Sequence, residues 1–138
     1  MPNDWIGPVA VGQPRAWGLI RFGKEGLHAT VTSVTFDRSP PDGLVTRVEL
    51  NRGEPIPVGA THRSEGETVH GVPGDISGVV QIVVWLEPRR IGIEFFSRST
   101  TIRYSIDDQD YVATYPVGVG ICSVERVTAT TSCDVGSA

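Results

Sequence analysis

The sequence predicts an all-β fold: a single domain of about eight or nine short antiparallel strands packed as a β-sandwich, with a small closed β-barrel as the alternative. Three observations carry this. Sixteen glycines and ten prolines among 138 residues punctuate apolar stretches every ~8–12 positions, the spacing of sandwiches and barrels. Several of those stretches alternate apolar and polar residues at period two, which places one face of a strand against a core and the other in solvent. Between the punctuating residues no stretch is left in which a helical period could develop.

The first sixteen residues, with Pro2, Pro8 and Pro14, read as an irregular arm or an added edge strand, because proline cannot donate to a ladder. Residues 17–130 are expected to form the domain and 131–138 a polar tail. Residues 17–22 form a short strand ended by Gly23, and Gly26 releases a longer one over 27–37, so the two look like a hairpin. After a turn at 38–43, rich in proline and polar residues, Leu44, Thr46, Val48 and Leu50 alternate with Val45, Arg47 and Glu49. Residues 51–78 are the least regular part and keep at most one edge strand, at 67–72. Residues 79–86, VVQIVVWL, are nearly continuously apolar and predict a central strand covered on both faces. Further strands follow at 91–96, at 102–106 and at 111–115, the last two joined by the polar tip 107–110. Residues 119–130 close the domain, with a change of apolar parity between Ile121 and Val124 that suggests a β-bulge.

The chain is long enough for one domain to bury roughly two-thirds of its unfolded surface, so a core needs no staples. Net charge is −4, with the acidic excess in both halves. No basic face is implied, which argues against nucleic acid or an anionic membrane as partner. Nowhere do eighteen apolar residues run together, and the amino terminus lacks the basic and apolar regions of a signal peptide. Membrane insertion is therefore not expected, while both a cytoplasmic home and a mature extracytoplasmic domain fit. Cys122 and Cys133 would lie about 36 Å apart on a straight strand; they can pair only if the tail turns back within about 7 Å. A bridge and two free thiols both fit the sequence.

The strand count, the chain length and Trp85 in a central strand resemble the immunoglobulin-like sandwich. The resemblance is one of architecture. No earlier cysteine stands ready to pair across the sheets, and Tyr115 lies seven residues before Cys122, whereas a tyrosine corner places it two before. The resemblance implies the fold and no functional residue.

Candidate sites fall in two places. His62, Glu67 and His70, joined by Glu65 in HRSEGETVH, are the ligand types of zinc or a similar ion, although a solvated loop explains the same residues. The tyrosines of the 102–115 hairpin, Tyr104, Tyr111 and Tyr115, offer rings on which a sugar or an apolar group can stack. If the strands close into a barrel, Trp85, Phe95, Phe96, Tyr104 and Tyr115 would line its lumen, with Glu94 or Arg103 as a polar handle. Asp107, Asp108 and Asp110 lack the ligand series of a calcium loop. No nucleophile elbow, phosphate loop or dinucleotide fingerprint is present, and no cofactor is expected.

Two functions follow. The first is a non-catalytic binding or accessory module that recognises a protein or carbohydrate partner, with Trp5 and residues 61–75 as further surface candidates. The second is a barrel enclosing a small apolar ligand, as a carrier or as a cyclase or isomerase acting by shape. If the chain is an enzyme, that chemistry fits better than hydrolysis.

Overall fold

A computed structural model describes residues 4–52, 59–61, 69–128, 130, 131 and 133. The described residues form ten strands and no helix: β1 (Asp4–Ala10), β2 (Arg15–Phe36), β3 (Leu44–Asn51), β4 (Gly59–Thr61), β5 (Val69–Gly71), β6 (Gly74–Pro88), β7 (Glu94–Ser97), β8 (Thr100–Ile106), β9 (Gln109–Tyr115) and β10 (Gly118–Val124). They make two sheets, a small one in the order β1-β10-β7 and a seven-stranded one in the order β5-β3-β6-β2-β8-β9, with β4 alongside β2. The sheets pack face to face and neither closes, so the fold is a β-sandwich and the barrel alternative does not hold. Among the described residues no helix is long and apolar enough to cross a membrane.

The apolar run at 79–86 is the C-terminal part of β6, which lies between β3 and β2 in the middle of the large sheet. Its alternate residues Ile82, Val84 and Leu86 are fully buried on one face, while Val83 and Trp85 are buried with Ala16 on the other. Covering on both faces is what an uninterrupted apolar strand requires.

Residues 17–22 and 27–37 do not form a hairpin. They are two halves of one strand, β2, which pairs with β6 from Arg15↔Leu86 to Val31↔Gly74. Between Gly23↔Val79 and His28↔Ser77, β2 has three more residues than β6, a large bulge that bends the strand instead of reversing it. Gly23 and Gly26 take the left-handed φ values 103° and 84° that the bend needs. The bend is sharp. Val31 pairs with Tyr104 and lies about 30 Å along a straight strand from Phe22, yet the rings of Phe22 and Tyr104 are 5.1 Å apart. A smaller bulge at Leu19 explains the local pattern, since Trp17 and Leu19 face inward before it and Ile20 and Phe22 after it.

Two apolar clusters result. One lies between the sheets, where Val9, Phe95, Val119 and Ile121 of the small sheet meet Trp17, Leu19, Val84 and Leu86 of the large one. The second lies inside the bend of the large sheet and unites Phe22, Val31, Leu50, Val80, Ile82 and Ile102. Beside it, the buried Asn51 and Gln81 face each other across β3 and β6 and share a hydrogen bond of 3.2 Å.

Three further expectations are corrected. The fold is not wholly antiparallel, because β1 runs parallel to β10 from Asp4↔Gly118 to Ala10↔Val124. No bulge interrupts β10, whose register with both neighbours is unbroken; the apparent parity change arises because Ser123 takes an inward position, where its hydroxyl accepts the Ile93 N–H at 2.7 Å. The strand also ends at Val124, well short of residue 130. Cys122 and Cys133 are bridged, with Cα atoms 5.6 Å apart, so the chain after β10 does turn back.

Candidate functional site

The two-residue turn Asp107-Asp108, with φ of 49° and 66°, joins β8 to β9 with Ile106 opposite Gln109. Positive φ at both central positions marks the tight hairpin turn whose twist matches its strands, and aspartate tolerates it. From that turn the register places Tyr104 directly opposite Tyr111 and Thr100 opposite Tyr115. Period-two alternation then puts all three tyrosines, with Ile102 and Ile106, on the face that turns toward Phe22.

Here β2 and the hairpin meet. The rings of Tyr104 and Tyr111 stack with centroids 5.4 Å apart and planes 18° apart. Phe22 stands edge-on to Tyr104 at 5.1 Å and to Tyr115 at 6.5 Å. Next to this cluster opens a cleft of about 300 Å³ lined by Phe22, Lys24, Leu27, Tyr104, Ile106 and Tyr115. Phe22, which belongs to the core inside the bend, supplies apolar lining with Leu27 and Ile106, while Lys24 and the two tyrosines supply polar groups. Desolvation by burial, with a smaller contribution from Tyr104, raises the pKa of Tyr115 above the ordinary 10.0. The Tyr115 phenol is therefore a neutral hydrogen-bonding group at physiological pH.

A more polar hollow of about 420 Å³ lies near the hairpin tip, lined by His28, Thr30, Asp75, Ser105, Asp107 and Asp108 among others. The Thr30 hydroxyl donates to Asp75 at 2.6 Å. Among the described residues no group of three or more His, Cys, Asp or Glu side chains is placed to hold a metal ion.

The other sequence candidates are dispersed. Trp85 lies on the opposite face of the large sheet, with the Arg47 guanidinium 5.1 Å from its ring centre. Phe95 is in the inter-sheet core. Phe96 points away from that core and lies under Arg98 at 5.1 Å, and Glu94 is exposed on β7. Arg103 is exposed on the face of β8 opposite Tyr104. There is thus no lumen for these residues to line together. His62, Glu65 and Glu67 lie outside the described residues; His70 pairs with Leu50 at the β3–β5 edge and Trp5 with Val119 in the small sheet, and their side chains also lie outside. Sequence reasoning missed Phe22, Lys24 and Leu27, which reach the tyrosines only through the bend of β2; the paired Gly23 and Gly26 were the available signal.

Compared with known proteins, the chain matches no protein-family model and no curated sequence.

Proposed function

We propose that the domain is a non-catalytic binding module that seats an apolar side chain of a protein partner in the cleft between the β2 bend and the tyrosine hairpin. The observation that carries this reading is the make-up of the cleft: Phe22, Leu27 and Ile106 supply apolar lining beside the polar groups of Lys24, Tyr104 and Tyr115. Apolar pockets with a few placed polar groups are the usual form of a recognition site, and buried aromatic anchors dominate the energetics of protein interfaces. The titratable groups of its lining are an ammonium and two phenols, a set suited to hydrogen bonding and not to paired acid–base chemistry.

A carbohydrate partner is the second reading. It is favoured by one feature, the ring of Tyr111, which is 39% exposed and offers a flat surface of the kind sugars stack on. The barrel carrier and the cyclase lose their container in two open sheets.

Selection of phage-displayed random peptides on the immobilised domain separates the readings. Peptides sharing an apolar anchor are expected to emerge, and Lys24→Glu and Leu27→Asp are expected to weaken them by about tenfold or more. Failure to enrich any peptide, together with glycan-array binding that Tyr111→Ala abolishes, would replace the protein reading with the carbohydrate one.

A further inference from the structure

Edges of sheets present unpaired N–H and C=O groups, and proteins that do not use them usually blunt them. Two of the other edges are blunted here. β1 carries Pro8, and β7 is four residues long. β9, at the end of the large sheet, is different. Its seven residues, QDYVATY, include no proline, lysine or arginine, and its register with β8 has no bulge. It also carries two adjacent large hydrophobic residues that are exposed, Tyr111 at 39% and Val112 at 55%. No described strand covers its outer side.

The hairpin turn determines which groups that side offers. A two-residue turn closed by Ile106 and Gln109 makes them a hydrogen-bonded pair, and such pairs alternate along an antiparallel ladder. Tyr104 with Tyr111 and Ile102 with Ala113 are therefore also bonded to each other, while the N–H and C=O groups of Asp110, Val112 and Thr114 point outward. Two side-chain contacts agree with this parity. The Arg103 carbonyl, from the other set, points toward β2, where it accepts the Thr32 hydroxyl at 3.0 Å. The hydroxyls of Thr101 and Thr114 lie 3.1 Å apart, as expected of the closer, non-bonded pairs.

We infer that β9 pairs antiparallel with β9 of a second copy of this chain, about a twofold axis at Val112. This register satisfies all the outward groups at once, because Val112 meets Val112 and Asp110 meets Thr114 across the axis. It is complementary in charge and size. Each Asp110 faces a hydroxyl and not another carboxylate, and on the cleft face each Tyr111 lies beside Ala113 of the other strand. A twofold contact must match its own surface in this way, and the shifted register that sets Asp110 against Asp110 is disfavoured by like charge. The inference is independent of what the cleft binds.

Sedimentation equilibrium over a range of concentrations tests it, with amide exchange as a second readout. A reversible dimer is expected, with the amides of Asp110, Val112 and Thr114 gaining protection as concentration rises, while those of Tyr111 and Ala113 are protected throughout. Val112→Pro removes an N–H that β8 does not use, and Val112→Lys sets two ammonium groups together at the axis. Each is expected to weaken the dimer by about tenfold or more while leaving the far-UV circular dichroism unchanged. A chain that stays monomeric up to about 1 mM, where only an interaction weaker than about −4 kcal/mol would escape, overturns the inference. So does a dimer that survives both substitutions.

Discussion

Tyr104 and Tyr111, opposite each other on β8 and β9, stack with planes only 18° apart, but they do not share the same surroundings. Tyr104 also meets Phe22, whereas Tyr111 keeps much of one side in solvent. The two substitutions should therefore differ in cost. Tyr111→Ala removes a cross-strand aromatic contact worth about 0.5–1 kcal/mol. Tyr104→Ala removes that contact and packing at the edge of the core, about 2–3 kcal/mol. Urea unfolding of both variants checks the order.

The bend in β2 rests on Gly23. A Cβ there would collide with the carbonyl oxygen of Gly78 on the facing strand, and its φ of 103° is one that side chains rarely adopt. At Gly26, φ is 84° and a Cβ would meet nothing within 4 Å. Gly23→Ala should cost on the order of 3 kcal/mol or more and Gly26→Ala about 1–2 kcal/mol. Equal losses in denaturant melts would show that the close approach to Gly78 is not what constrains the bend.

Alkaline pH should act through Tyr115. Its pKa is raised above 10.0 in the folded protein by burial and then by Tyr104, so the folded state holds its proton to higher pH than the unfolded chain does. The stabilisation is complete below the unfolded value and is lost as pH rises through the folded value. Stability measured between about pH 9 and pH 11 should fall, and should fall less in Tyr115→Phe.

The Cys122–Cys133 bridge closes a loop of sequence separation 11 at the end of β10. Its loss, by reduction or by Cys133→Ser, should lower stability by about 2–3 kcal/mol through the entropy of the unfolded chain. The fold should persist, since β10 is paired on both sides without it. Thermal melts with and without a reductant measure this, and an unchanged midpoint would contradict it. Such a bond lasts where thiols are not kept reduced.

Much of this architecture was legible in the sequence where information is local. The run at 79–86 announced a doubly covered strand because its composition leaves no face for water. The hairpin of Tyr104 and Tyr111 followed from alternation on either side of an aspartate-rich tip. Long-range arrangements were not legible. A glycine pair such as Gly23 and Gly26 suits a reversal and a bend equally well, and only the facing strand decides between them. The parallel pairing of β1 with β10 joins segments more than a hundred residues apart, a contact that no local pattern encodes. The aromatic cleft inherits this difficulty: its tyrosines could be found, but Phe22 joins them only through the bend.

β2 and β6 contribute side chains to both apolar clusters, Trp17, Leu19, Val84 and Leu86 to one and Phe22, Val31, Val80 and Ile82 to the other. The two cores are thus thermodynamically linked, since neither can melt without releasing strands on which the other depends. The domain should open cooperatively as one unit, and damage in the inter-sheet core should be felt at the cleft. β8 is held to the core inside the bend by the fully buried Ile102 and by Tyr104, whereas β9 adds only Tyr115 to it and is the strand of the hairpin that frays most cheaply. The rings presented to a partner thus sit where the cooperative body of the fold meets its loosest edge.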